Sequence, residues 1–157
     1  MTAPLIVGEG RATVRATPDE VFEFVLDLTR YRQADRKIGR VGEIRRDGDT
    51  GTVRFAGRLR GLPGPSGVYP FTLTESRLTF GTPIAGPARW FLEHFEGRFE
   101  CEVTDAGTVV AHREEYRFKP PWSWLAGPLL GRWLERDTAG EMERFKVLVD
   151  AGSPTPR

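Results

Sequence analysis

The amino-acid sequence predicts an α+β fold: a curved antiparallel β-sheet of six to seven strands gripping a long C-terminal helix, with one or two short helices after the first strand. Three observations predict it. An alternating stretch, GRATVRA, runs straight into a capped helix in TPDEVFEFVLDLTRY, residues 17–31. Between residues 38 and 118 short alternating segments follow one another with turn-prone Gly, Pro and Asp between them. From 128 to 149 apolar residues return at helical spacing.

The first helix is specified locally. Thr17 can accept a hydrogen bond from a free backbone N–H, Pro18 suits the first helical position, and Glu20 completes a capping box. Val21, Phe22, Val25, Leu26 and Thr29 then share one face, which needs a sheet to cover it. The polar segment TRYRQADRK predicts a short second helix or a turn. Two strands joined at Asp47-Gly48 come next, with Val53, Phe55, Gly57 and Leu59 on one face of the second. LPGPSG at 62–67 and GTPIAGP at 81–87 read as loops, and the segment between them puts Tyr69, Phe71 and Leu73 on one face.

The last hairpin is the most legible. RWFLEHFEGRFECEV places Phe91, Glu93, Phe95, Gly97, Phe99, Cys101 and Val103 on one face, and VVAHREEYRF places Val110, His112, Glu114, Tyr116 and Phe118 on one face. Matching the two inner faces predicts the pairs Val103 with Val110, Cys101 with His112, Phe99 with Glu114 and Gly97 with Tyr116. After a Pro-rich corner, KPPWSWLAGP, the final helix carries Leu130, Trp133, Leu134, Met142, Phe145 and Val149, but Asp137 and Thr138 interrupt its stripe. Something polar, or empty, is expected opposite that point.

At 157 residues the chain suits a single domain over residues 1–150, with AGSPTPR at 151–157 read as a disordered tail. A net charge of +1, from 23 basic and 22 acidic residues, provides no broad cationic field, which excludes nucleic acid as an expected partner. No apolar run reaches the roughly 20 residues of a membrane span, so stable membrane insertion is not expected. One cysteine, Cys101, allows no internal disulfide and fits a cytoplasmic location. GEGR lies within a strand and opens no phosphate-binding helix. No metal site is expected, since His94 falls on the face opposite the one that carries His112, and no cofactor is implied.

The best candidates for chemistry are His112 and Glu114, two apart on an otherwise apolar face, and Glu93 is a third candidate. A carboxyl group in apolar surroundings and an imidazole can exchange protons near neutrality, can hydrogen-bond a ligand, or can satisfy one another structurally. All three roles stay open. The aromatic residues Tyr69, Phe71, Phe91, Phe95, Phe99, Tyr116 and Phe118 read as a cavity lining or as core, and Trp133, Thr138 and Met142 face them from the last helix. A Cys101–His112 nucleophilic dyad lacks a third orienting group and is disfavoured.

The opening GRATVRATPDEVFEFVLDLTRYRQAD, with Ala16, Pro18, Glu20, Val21, Phe22 and Asp27, resembles the start of the START-like or SRPBCC superfamily, particularly its polyketide cyclase/dehydrase-related branch. The DAGTVV turn and the helix ending MERFKVLV are similar to that family's last hairpin and final helix. The resemblance implies a helix-grip fold with a deep apolar pocket and no shared catalytic motif. The first expectation is therefore binding of a hydrophobic or aromatic small molecule, such as a lipid, quinone or polyketide. The alternatives are an aromatic polyketide cyclase or dehydratase using the same pocket, and a protein-interaction module resembling a chaperone regulator.

Overall fold

The computed structural model describes residues 3–152. Strand β1 (Ile6–Val14) leads into helix α1 (Pro18–Leu26) and the one-turn helix α2 (Leu28–Tyr31). Six further strands follow: β2 (Ile38–Asp47), β3 (Thr50–Leu59), β4 (Leu62–Leu73), β5 (Arg77–Phe80), β6 (Leu92–Thr104) and β7 (Gly107–Phe118). A 3₁₀ turn, Pro87–Trp90, separates β5 from β6, and the long helix α3 (Trp122–Gly152) closes the chain. The seven strands form one antiparallel sheet in the order β1-β7-β6-β5-β4-β3-β2. This is the α+β helix-grip architecture.

The capping box forms as its residues require: the Glu20 backbone N–H donates to Thr17 Oγ1, and the Thr17 backbone N–H donates to Glu20 Oε2. Asp27 ends α1 and caps α2 through the Arg30 backbone N–H. The apolar face of α1, with Val21, Phe22 and Val25 fully buried, joins Phe99 of the sheet and Phe145 of α3 in one core.

Four expectations are corrected. LPGPSG is not a loop but the first half of β4, because β3 and β4 continue pairing to a two-residue turn at Arg60-Gly61, both at positive φ. The last helix starts at Trp122, six residues early, and carries Pro128 within its first turns. It also runs through Ala151 and Gly152, the first two residues assigned to the tail; residues 153–157 lie outside the described residues. The final hairpin is displaced by two residues, pairing Val103 with Thr108, Cys101 with Val110, Phe99 with His112 and Gly97 with Glu114. A slip of two preserves every side chain's face, so alternation alone could not distinguish these registers. The turn decides: Thr104 pairs with Gly107, whose φ of 129° suits glycine.

Helix α3 lies across β1. Its C-terminal half presses so close that a Cβ at Gly10 would lie 2.7 Å from Met142 Cγ and 2.8 Å from the Thr138 carbonyl oxygen. Its N-terminal half does not reach the sheet core in the same way, and Leu125, Ala126, Leu129 and Leu130 line a cavity instead. Gly10→Ala should therefore cost about 1–3 kcal/mol of stability, since one of the clashing atoms is backbone and cannot rotate away. Urea unfolding of the variant and the parent checks this.

Candidate functional site

The cavity has a volume of about 690 Å³ and lies between the concave face of the sheet, α2 and the first half of α3. Most of its wall is apolar: Val25, Leu28 and Ile38 on one side, Phe55, Tyr69 and Phe80 on the sheet, and Phe91, Leu92, Phe95 and Phe118 nearer α3. Tyr69 is sandwiched by aromatic contacts, with ring centroids 4.7 Å from Phe55 and 5.1 Å from Phe95. Such aromatic pairs contribute about 0.5–1.5 kcal/mol each beyond the area they bury.

One end of the wall is ionic. Asp35, Lys37, His112, Glu114 and Tyr116 line it, and Asp137 and Glu141 of α3 complete the group from behind. Lys37 Nζ lies 2.9 Å from Asp35 Oδ1, 2.9 Å from Asp137 Oδ2, 3.0 Å from Glu141 Oε1 and 3.5 Å from Glu114 Oε2. An ammonium has three protons to give, and here four carboxylates compete for them. Burial would lower the Lys37 pKa, but the charges of Asp35, Glu114 and Glu141 outweigh it and hold the group well above its ordinary value.

His112 is buried with a full set of acceptors. Its Nδ1 lies 3.0 Å from the Arg98 carbonyl oxygen, and its Nε2 lies 2.9 Å from both Glu114 Oε1 and Glu141 Oε2. With acceptors facing both nitrogens, the ring is held as an imidazolium. Burial opposes that charge; Glu141 and Glu114 overcome it and push the pKa up to about 10. Phe99 stacks on the ring at 4.0 Å and 12°, a cation–π contact. The Tyr116 hydroxyl donates to Glu114 Oε2 at 3.2 Å. Burial first, then the Glu114 charge, holds Tyr116 well above the usual phenol range. Tyr31, also buried in this wall, feels the charge of Glu141, yet its hydroxyl makes no hydrogen bond of acceptable geometry.

The structure brings seven of the sequence-derived site residues to the cavity wall: Tyr69, Phe91, Phe95, Phe99, His112, Glu114 and Tyr116. The other five lie elsewhere. Phe71 is core, packed against Gly51 and Phe80. Glu93 is exposed, because β6 bulges between Leu92 and His94 and puts Leu92 on the cavity side in its place. Thr138 gives its hydroxyl proton to the Leu134 carbonyl and abuts Gly8. Met142 fills the space over Gly10, and Trp133 packs with Ile6, Phe118 and Leu134 around a void of about 10 Å³, too small for a ligand.

Cys101 pairs with Val110 rather than His112, and burial pushes its thiol up to about 12, which removes the thiolate a dyad would need. His94 lies on the outer face with Nε2 3.2 Å from Glu115. His112, Glu114 and Glu141 offer ligand atoms within 4.8 Å of one another, but a divalent ion there would have to displace the His112 proton and repel Lys37.

Asp35, Lys37 and Glu141 escaped the sequence reading. Asp35 and Lys37 sit in a segment whose composition looks like a solvated turn, and Glu141 neighbours Met142 on a helix rich in charges. The usable signal was the polar break at Asp137 and Thr138, which implied something polar, or empty, opposite it: Lys37 lies opposite Asp137.

A curved antiparallel sheet holding a long terminal helix over an internal apolar cavity defines a START-like protein of the SRPBCC superfamily. The chain belongs to the polyketide cyclase / dehydrase and lipid transport family, whose model matches residues 7–150. Its fold is shared by TTHA0849 from Thermus thermophilus, at 18% identity and a TM-score of 0.73 over 96% of this chain and 100% of that one. It is shared also by the Zhui aromatase/cyclase of a Streptomyces species, at 17% identity, TM-score 0.60, over 94% and 90% of the two chains. A START superfamily protein from Mycobacterium smegmatis aligns at 16% identity and TM-score 0.58 over 93% and 95%. Comparison with curated protein sequences gave no significant match.

Two outcomes follow from the ionic cluster. Lys37→Met leaves Asp35 buried without a cation and takes from Asp137 and Glu141 one of the two cations that each faces, and should cost about 3–5 kcal/mol in urea unfolding. His112 binds its proton more tightly folded than unfolded, so its contribution to stability is full below about pH 6.5 and is lost as pH rises toward 10. The melting temperature should fall between pH 7 and 10, and His112→Gln should flatten that decline.

Proposed function

We infer that the protein binds a hydrophobic small molecule, aromatic or lipid-like, with an oxygen-bearing end directed at Lys37, His112, Glu114 and Tyr116. The observation that carries this reading is the cavity: about 690 Å³ of mostly apolar wall with its polar groups gathered at one end. Burial of the ligand's apolar body supplies affinity, and the polar end sets its direction. The family's description, which includes lipid transport, supports the same class of ligand.

The state of the charges favours binding over proton transfer by His112. A general base works best with a pKa near the working pH, whereas this imidazole is pushed up to about 10 and keeps its proton at neutrality. Lys37 likewise stays charged. The cluster resembles a fixed electrostatic surface more than a shuttle. Mass spectrometry of the intact purified protein and of its organic extract tests the proposal. A stoichiometric lipid, quinone or aromatic species is the expected result. Alternatively, such a compound at 100 times its Kd should add about 2.7 kcal/mol of stability. No bound species and no stabilisation across these classes would refute it.

An enzymatic reading, as an aromatic polyketide cyclase or dehydratase, draws on the aromatase/cyclase among the fold's relatives and on the family description. In it the same wall folds a reactive chain, and Glu114 or His112 assists enolisation or loss of water. His112→Ala and Glu114→Gln separate the two readings. A cyclase would lose turnover by about 10²-fold or more while retaining ligand; a binding protein would have no turnover to lose and would show weakened affinity.

A further inference from the structure

The mouth of the cavity has a composition unlike the rest of the molecule. Three segments surround it: the tip of the β3–β4 hairpin at 58–65, the 3₁₀ turn and its exit at 87–92, and residues 119–132, which open α3. They are tied together there. Arg60 Nη1 donates to the Leu129 carbonyl at 3.4 Å, the Lys119 backbone N–H donates to the Phe91 carbonyl at 2.8 Å, and Trp122 packs on Phe91 with centroids 5.2 Å apart.

Two properties coincide on these segments. The first is exposed apolar surface: Trp124 is 75% exposed, Leu62 73%, Trp90 64%, Leu125 59%, Leu129 53% and Trp122 46%. Three of the chain's four tryptophans are in this group. Such a concentration marks an interaction surface rather than ordinary scatter. The second is charge. The three segments hold Arg58, Arg60, Arg89, Lys119 and Arg132, all exposed, and no aspartate or glutamate. The nearest acidic residues in sequence, Glu93 and Glu135, fall just outside. A chain with a net charge of only +1 thus carries five cations on these three segments, and among the described residues no carboxylate forms a salt bridge with them.

We propose that this rim docks the protein peripherally on an anionic lipid surface, with Trp90, Trp124 and the leucines entering the headgroup region and the five basic residues meeting anionic headgroups. Indole rings and arginines suit that boundary because each has an apolar body and a polar end. Basic residues near an anionic membrane contribute additively, and charge alone does not hold the protein without the apolar insertion. The opening of the cavity lies among the inserted residues, so an apolar ligand entering or leaving there avoids crossing water. No helix among the described residues is long and apolar enough to cross a membrane. The docking surface does not depend on which ligand the cavity takes.

The test is cosedimentation with vesicles of phosphatidylcholine alone or mixed with phosphatidylglycerol, with tryptophan emission recorded in parallel. The expected result is binding to the mixed vesicles with a blue shift, weak binding to phosphatidylcholine, and release by salt. Arg89→Glu with Arg132→Glu should weaken binding by about tenfold or more, and Trp90→Ser with Trp124→Ser should abolish the blue shift. None of these four residues lines the cavity, so ligand content and melting temperature should stay at the parent's values. Equal binding to both vesicle types, no binding to either, or variants that bind like the parent would overturn the proposal. Binding to an acidic carrier protein without binding to vesicles would overturn it too.

Discussion

The Lys37 ammonium is the point on which the ligand end of the molecule depends. It joins three parts of the chain that are distant in sequence: Asp35 in its own turn, Glu114 on β7, and Asp137 with Glu141 on α3. Burying so many charges costs several kcal/mol for each ion and is repaid only when every partner is in place. The cluster therefore tolerates one arrangement of helix over sheet. Arg144 reinforces it from the next turn of α3, donating through Nε to the Ala34 carbonyl at 2.8 Å and approaching Asp137 at 3.8 Å.

From that anchor the two halves of α3 acquire different roles. Toward the C-terminus the helix meets β1 at Gly8 and Gly10, where absent side chains allow Thr138 and Met142 to touch backbone. Toward the N-terminus it meets no such pair of glycines. Leu125, Ala126, Leu129 and Leu130 instead overhang an aromatic wall. Space for a ligand is thus a consequence of close approach at one end and its absence at the other. The ionic cluster sits at the junction, half in the core and half in the cavity wall.

The same cluster shapes what the cavity can do. Its two cations are held in their charged forms by surrounding carboxylates, and Phe99 covers His112. An imidazole pushed up to about 10 stays protonated at neutral pH. The family combines cyclases, dehydrases and lipid transport on one architecture. The fold alone does not choose among these activities. At the mouth the distribution of charge matters more than its total, since a near-neutral chain still presents a purely basic and tryptophan-rich rim.

Local rules determined much of the fold. The capping box at Thr17 and Glu20, the alternation in β6 and β7, and the apolar stripe of α3 each follow from interactions within a few residues, so they could be read directly. His112, Glu114 and most of the aromatic wall were legible for the same reason, because alternation shows which face a residue takes. Position along a face was not legible: the two-residue displacement of the last hairpin and the bulge that exposes Glu93 both leave alternation nearly intact. Only the tertiary structure decided that Asp35, Lys37 and Glu141 belong to the ionic cluster at the end of the cavity. Lys37 and Glu141 are partners about a hundred residues apart, and no short-range pattern marks a lysine whose solvent will be replaced by carboxylates from a distant helix.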